Sequence, residues 1–202
     1  DAVGRYTMRQ LQHYGVGTEF VRAVAGEWRS SLAVVETRAE NCQSIIYRNG
    51  AADFRLTADH VRSIPFSGFG AFIVTGTALA VEPSRTAAFE AIAAARNAGI
   101  PVILDVDYRP YSWPDAETAA AVCSKAAMLG DVVIGNDVEF DVMAGGGKGL
   151  AMARALAEGS AAIAVYKMGE KGAVTFAADK SFETGIFPVT ALKPTGAGDA
   201  FM

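Results

Sequence analysis

The stretch "IPVILDVD" (residues 100–107) is apolar from Ile100 to Leu104 and turns acidic at Asp105 and Asp107. A short run rich in Val and Ile, without polar alternation, has the pattern of a strand buried on both faces. Three other runs share it: "AFIVTG" (71–76), "DVVIGN" (131–136) and "AAIAVYKMG" (161–169). Between them lie "PSRTAAFEAIAAARNAG" (83–99), "DAETAAAVCSKAAML" (115–129) and "EFDVMAGGGKGLAMARALAEG" (139–159), mostly Ala-rich and helix-favouring. In the first of these, Phe89, Ile92 and Ala93 are expected on one apolar face, with Gly99 as the stop. Strand, helix, strand at this spacing predicts an α/β fold, a mainly parallel sheet covered by helices on both faces.

Upstream the pattern changes. Within residues 31–57, "SLAVVETR" and "SIIYRNGAADFRL" read as a strand pair of mixed patterning, suited to a small accessory sheet or flap. The chain starts at Asp1, inside an apparent amphipathic helix with Tyr6, Leu11 and Tyr14 among polar residues, and it stops inside another. We therefore expect one incomplete domain over residues 1–202, a fragment or trimmed chain. The 18 basic and 22 acidic residues give a formal charge of −4, with no basic run to follow a phosphate backbone, which argues against nucleic acid as a partner. The longest apolar stretch, "GAFIVTGTALAV" (70–81), is too short to span a bilayer, so no membrane segment is expected. Cys42 and Cys123 lack metal or disulfide spacing and suit reduced thiols in a cytoplasmic protein.

In an open parallel sheet, ligands bind beyond the carboxyl ends of the strands. Those ends are polar here: "DVDYRP" supplies Asp105, Asp107 and Arg109, "GNDVEF" supplies Asn136 and Glu139, and "KMGEKG" supplies Lys167, Gly169 and Gly172. The C-terminal "KPTGAGDAFM" (193–202) sets Gly196, Ala197 and Gly198 directly before Asp199. Small residues let another molecule approach the backbone, and an acid in the first turn of a helix sits beside amides without partners. That describes an anion site with a base next to it. Other motifs fail on inspection. "GGGKGL" (145–150) has Gly149 where a P-loop needs Ser or Thr, which leaves a flexible loop. "GVGTEF" and "GFGAFI" lack the third glycine of the dinucleotide fingerprint. His13 and His60 have no acid or Cys at ligand spacing.

"KPTGAGDAF", N-x-x-E at Asn136 to Glu139 and the "KMGEKG" turn together resemble the ribokinase-like carbohydrate kinases. The resemblance runs along all 202 residues and is strengthened by "NCQSIIYRNGAADF", "ILDVDYRPYSW", "GNDVEFDVMAG" and "FPVTALKPTGAGDAFM", in that order. It implies a three-layer α/β/α sandwich with a small β lid, and ATP-dependent phosphorylation of a sugar hydroxyl in the presence of Mg²⁺. By the same resemblance Asp199 is the base, and the backbone around Gly196, Ala197 and Gly198 is the anion hole. Lys167, Gly169 and Gly172 then lie at the nucleotide, Asn136 and Glu139 hold hydrated Mg²⁺, and Tyr47, Arg48, Asp107 and Arg109 meet the sugar.

Arg48 and Arg109 carry most of the information about the substrate. A sugar acid has a carboxylate that a planar guanidinium grips through two hydrogen bonds, and a neutral sugar has no such anion. The expected partners are thus a small sugar acid and ATP. Three alternatives stay open: another sugar-acid kinase of the family, a kinase for a different sugar, or a nucleotide- or sugar-binding regulator without turnover. Homo-oligomer formation also stays open.

Overall fold

The computed structural model describes residues 1–36, 44–189 and 196–202. Cys42 and residues 193–195 of the C-terminal motif lie outside them. The described chain forms two units: residues 1–56 with 196–201, and residues 57–189 with Met202.

The first unit opens with α1 (Ala2–His13), capped by Asp1, whose Oδ1 accepts from Gly4 N at 2.7 Å. The expected lid strands form an antiparallel pair, β1 (Leu32–Val35) and β2 (Ser44–Tyr47), with Leu32 opposite Tyr47 and Val34 opposite Ile45. Downstream of β2, Ala51 N donates to Arg48 O and Ala52 N to Arg29 O, which closes the chain into a 3₁₀ turn over Ala52–Arg55.

The second unit starts with α2 (Ala58–Arg62), where His60 Nδ1 accepts from Thr57 N and so completes a capping box. The sheet follows, with β3 (Phe72–Thr75), β4 (Val102–Asp105), β5 (Val132–Asn136) and β6 (Ile163–Lys167) as parallel neighbours in serial order. α3 (Ser84–Asn97), α4 (Ala116–Ala127), α5 (Asp137–Met143) and α6 (Gly149–Gly159) make the crossovers. Two antiparallel strands the sequence reading did not anticipate, β7 (Ala173–Ala177) and β8 (Lys180–Thr184), extend the sheet beyond β6. Serial order with right-handed crossovers brings the connecting helices to one face. Leu104, Val133, Ala164 and Phe176 are buried on that side, and Ile103, Val132 and Ile163 of the opposite side are half-buried around Ile134 and Val165. The described crossover helices therefore supply one helical layer, and the second face is the side on which the expected further layer would pack.

Two details sharpen the sequence reading. Residues 139–159 form two helices on either side of the loop expected at 145–150. Gly145, Gly146 and Gly147 take φ of +73°, +105° and +66°, which breaks the segment into α5 and α6, and Asp141 Oδ1 accepts from Gly149 N at 2.6 Å where the second helix begins. The buried face of α3 is made of Ala87, Ala88, Ala91, Ile92 and Ala95, and Ala93 is exposed, because close helix packing here uses the small side chains. Gly99 does follow the helix end with φ +73°, and its N–H donates to Arg96 O. α7 (Ala197–Phe201) closes the chain. No helix among the described residues is long and apolar enough to cross a membrane.

Gly76 follows β3 where the backbone after β4 passes. A Cβ there would stand 2.0 Å from Val106 O. We expect Gly76→Ala to cost about 1–3 kcal/mol, as forced overpacking does. A lower urea midpoint with an unchanged slope in the full-length protein is the measurement, and an unchanged midpoint would show that the two segments separate freely.

Candidate functional site

The carboxyl ends of β4, β5 and β6 lie along one edge of the sheet, since the strands are parallel and in register, with Asn136 beside Lys167. β4 ends at Asp105, which is 5% exposed. One residue later Val106 N donates to Ile134 O at 2.9 Å, and the chain then turns through Asp107 at φ +35°. A non-glycine residue rarely takes this left-handed conformation, and Asp is among the few that tolerate it. Arg109 reaches back over this turn, its Nη2 lying 2.5 Å from Asp107 Oδ1, with the arginine more exposed than the acid.

At the end of β5, Asn136 and Glu139 form a capping box. Asn136 Oδ1 accepts from Glu139 N at 2.9 Å, and Glu139 Oε2 accepts from Asn136 N at 2.7 Å. Glu139 is only 4% exposed, and its Oε1 accepts from Tyr108 N at 3.2 Å. Burial pushes its carboxyl above the ordinary glutamate range; the Asn136 amide, the charge of Lys167 and the Tyr108 amide oppose the shift, and the charge of Asp107 adds to it. Among the described residues no three His, Cys, Asp or Glu side chains gather as a direct metal cage. With each Glu139 oxygen already taking one amide, the lone pairs left suit the waters of a hydrated Mg²⁺ better than direct ligation.

β6 ends at Lys167 and runs into a closed turn: Met168 N donates to Gly172 O at 2.8 Å and Gly172 N to Gly169 O at 3.0 Å. Gly169 and Gly172 have φ of +58° and +87°, and a Cβ on Gly172 would lie 2.0 Å from Thr184 O. At the end of β3 the sequence reading missed a hydroxyl pair. Thr75 lies opposite Asp105 in the register, and its Oγ1 is 2.9 Å from Thr77 Oγ1. The signal was present in "VTGT", two hydroxyls two residues apart after an apolar run.

The second unit thus brings Asp107, Arg109, Asn136, Glu139, Lys167, Gly169 and Gly172 to one sheet edge or the loops leaving it. The other predicted residues belong to the first unit. There Tyr47 ends β2 with an exposed ring, and Arg48 is held by Asp53. Gly196 has φ +85°, and Ala200 N donates to its carbonyl at 2.9 Å as α7 begins. Asp199 sits exposed in the first turn of that helix, as the sequence reading placed it.

The family model described as pfkB family carbohydrate kinase matches residues 1–202. The 5-dehydro-2-deoxygluconokinase of Photobacterium profundum is 36% identical over 207 residues, covering 100% of this chain and 62% of that protein. The protein of the same name from Listeria monocytogenes is 32% identical over 206 residues, covering 100% of this chain and 63% of its own length. A crystal structure of fructokinase from Vibrio cholerae with fructose, ADP and calcium ion bound superimposes with a TM-score of 0.83 at 25% identity, covering 100% of this chain and 65% of that one. The chain therefore spans less than two thirds of the length of these curated relatives.

The buried carboxyl gives a pH prediction. An acid whose folded-state pKa lies above its unfolded value contributes stability that is fully present below the unfolded pKa and is lost as pH rises through the folded one. The stability of the wild type relative to Glu139→Gln should accordingly fall as pH rises from the ordinary glutamate range upward, read from urea unfolding at a series of pH values. A pH-independent difference would show that Glu139 titrates alike in the folded and unfolded chain.

Proposed function

The chain belongs to the pfkB family of carbohydrate kinases, and from that premise we propose that the protein transfers the γ-phosphoryl group of ATP to a hydroxyl of a sugar acid, 5-dehydro-2-deoxygluconate. The observation that carries this reading is the likeness to proteins of that specificity along the whole chain. The sheet edge supports it, because it presents a cation, Arg109, beside polar groups suited to phosphate and hydrated metal.

Phosphoryl transfer through a loose transition state depends on positioning and on charge stabilisation more than on covalent help. In the proposed reaction Asp199 takes the proton of the attacking hydroxyl. The backbone amides at the start of α7 donate to the transferred group, and the lack of side chains at Gly196 and Gly198 lets phosphate approach. Lys167 and the closed turn from Gly169 to Gly172 form the nucleotide side. Asn136 and Glu139 would hold Mg²⁺ through its waters, and the ion when bound would supply positive charge to offset that of the phosphates. Tyr47, Arg48, Asp107 and Arg109 receive the sugar acid. With ATP as donor and a small organic acid as acceptor, the setting is the cytoplasm.

A coupled assay of the full-length protein with ATP and Mg²⁺, against sugar acids, fructose and ribose, tests the assignment. The highest kcat/KM should fall on 5-dehydro-2-deoxygluconate, and a preference for a neutral sugar would overturn it. Asp199→Asn should lower kcat by about 10²–10⁴ as the loss of a general base does, while calorimetry shows near-normal ATP binding. Arg109→Met should raise the apparent barrier on sugar acids by about 2–5 kcal/mol, the range for truncating one partner of a charge pair, with little change on neutral sugars.

A further inference from the structure

Arg48 enters the proposed site already held by a residue to which the sequence reading gave no role. Its Nε donates to Asp53 Oδ2 at 2.8 Å, and its Nη2 lies 2.6 Å from the same oxygen. Phe54 lies under the guanidinium, 4.3 Å from ring centroid to Cζ. Both partners sit on the 3₁₀ turn Ala52–Arg55, which is fixed from behind: Ala51 is 1% exposed, its N–H donates to Arg48 O, and Ala52 N donates to Arg29 O. The arginine side chain is 18% exposed and the aspartate side chain 38%.

A guanidinium offers two forked edges, one formed by Nε and Nη2 and the other by Nη1 and Nη2. Asp53 occupies the first. Among the described residues no hydrogen bond engages Nη1, so the end-on edge keeps its capacity for a second anion. Pairing with Asp53 also lowers the net charge at the arginine, which weakens its pull on anions in general and leaves selection to a planar acceptor that matches the fork.

Resting on the sugar-acid reading above, we propose that Asp53 is a positioning residue for substrate selection. With Phe54 it locks Arg48 from the side and from below, so that the Nη1–Nη2 edge is presented to the substrate carboxylate.

The test is a double-mutant cycle in the full-length enzyme with Asp53→Ala, Asp53→Asn, Arg48→Met and the Arg48→Met/Asp53→Ala pair. Asp53→Ala should raise KM for 5-dehydro-2-deoxygluconate about tenfold, with kcat and KM for ATP nearly unchanged and no further effect on the Arg48→Met background. Asp53→Asn, which keeps an oxygen to accept from Nε and Nη2, should recover most of the loss. An equal rise in KM on the Arg48→Met background would mean that Asp53 only supports its turn, and would overturn the inference. So would a silent Asp53→Ala beside an impaired Arg48→Met, leaving the sugar-acid reading intact. If Arg48→Met itself leaves the sugar-acid KM unchanged, the substrate role of Arg48 fails and the inference fails with it.

Discussion

The second unit is organised around a buried carboxylate that takes amide hydrogens from two directions. Glu139 accepts from Asn136 N at the start of its own helix and from Tyr108 N in the loop after the neighbouring strand. Hydrogen bonds to a charged group contribute about 1.5–3 kcal/mol each, and a buried carboxylate without them would be strongly unfavourable. The same side chain therefore fixes where α5 begins and how the Asp107–Arg109 loop leaves β4. Within this unit, Asp107 and Arg109 of the groups proposed for the sugar consequently share one anchor with those proposed for the metal. A displacement of Glu139 would be felt at both.

The parallel core was legible in the sequence because its strands are buried on both faces. Such strands leave continuous Val and Ile runs, so the stretches read at 100–107 and 131–136 contain β4 and β5. The hairpin β7–β8 left a fainter trace. Its outer strand is exposed along its whole length, its sequence "KSFET" has a single large apolar residue, and its turn passes through Ala178 at φ +52° instead of a glycine. The break between α5 and α6 was visible as "GGGKGL", whose run of glycines reads as a loop between helix-favouring residues on either side. In α3 the alanines pack and Ala93 does not, a choice made by the neighbouring elements and not by hydropathy.

For the site, residue types were easier to read than their pairings. Asn136 and Glu139 were expected to act together on one ion, and the capping box is the local geometry that holds them side by side. The arginines were read by the substrate carboxylate they could grip. Each instead has a carboxylate partner only two or five residues away, Asp107 for Arg109 and Asp53 for Arg48. Neither pairing follows from spacing alone. The first needs a left-handed residue at 107 and the second a 3₁₀ turn closed by Ala51, features of backbone conformation that a side-chain pattern does not encode.

The left-handed conformation of Asp107 bears on how such a loop diverges over evolutionary time. At φ +35° the backbone accepts Asp, Asn or Gly with little strain, and β-branched or bulky residues only at a cost. Among the side-chain-bearing choices, Asp and Asn are nearly the same shape and differ in charge and hydrogen bonding. A single-base exchange of Asp for Asn would remove the negative charge beside Arg109 while leaving the loop in place and an amide oxygen still able to accept from the guanidinium. Such an exchange would change the electrostatics of the loop and leave its path as it is.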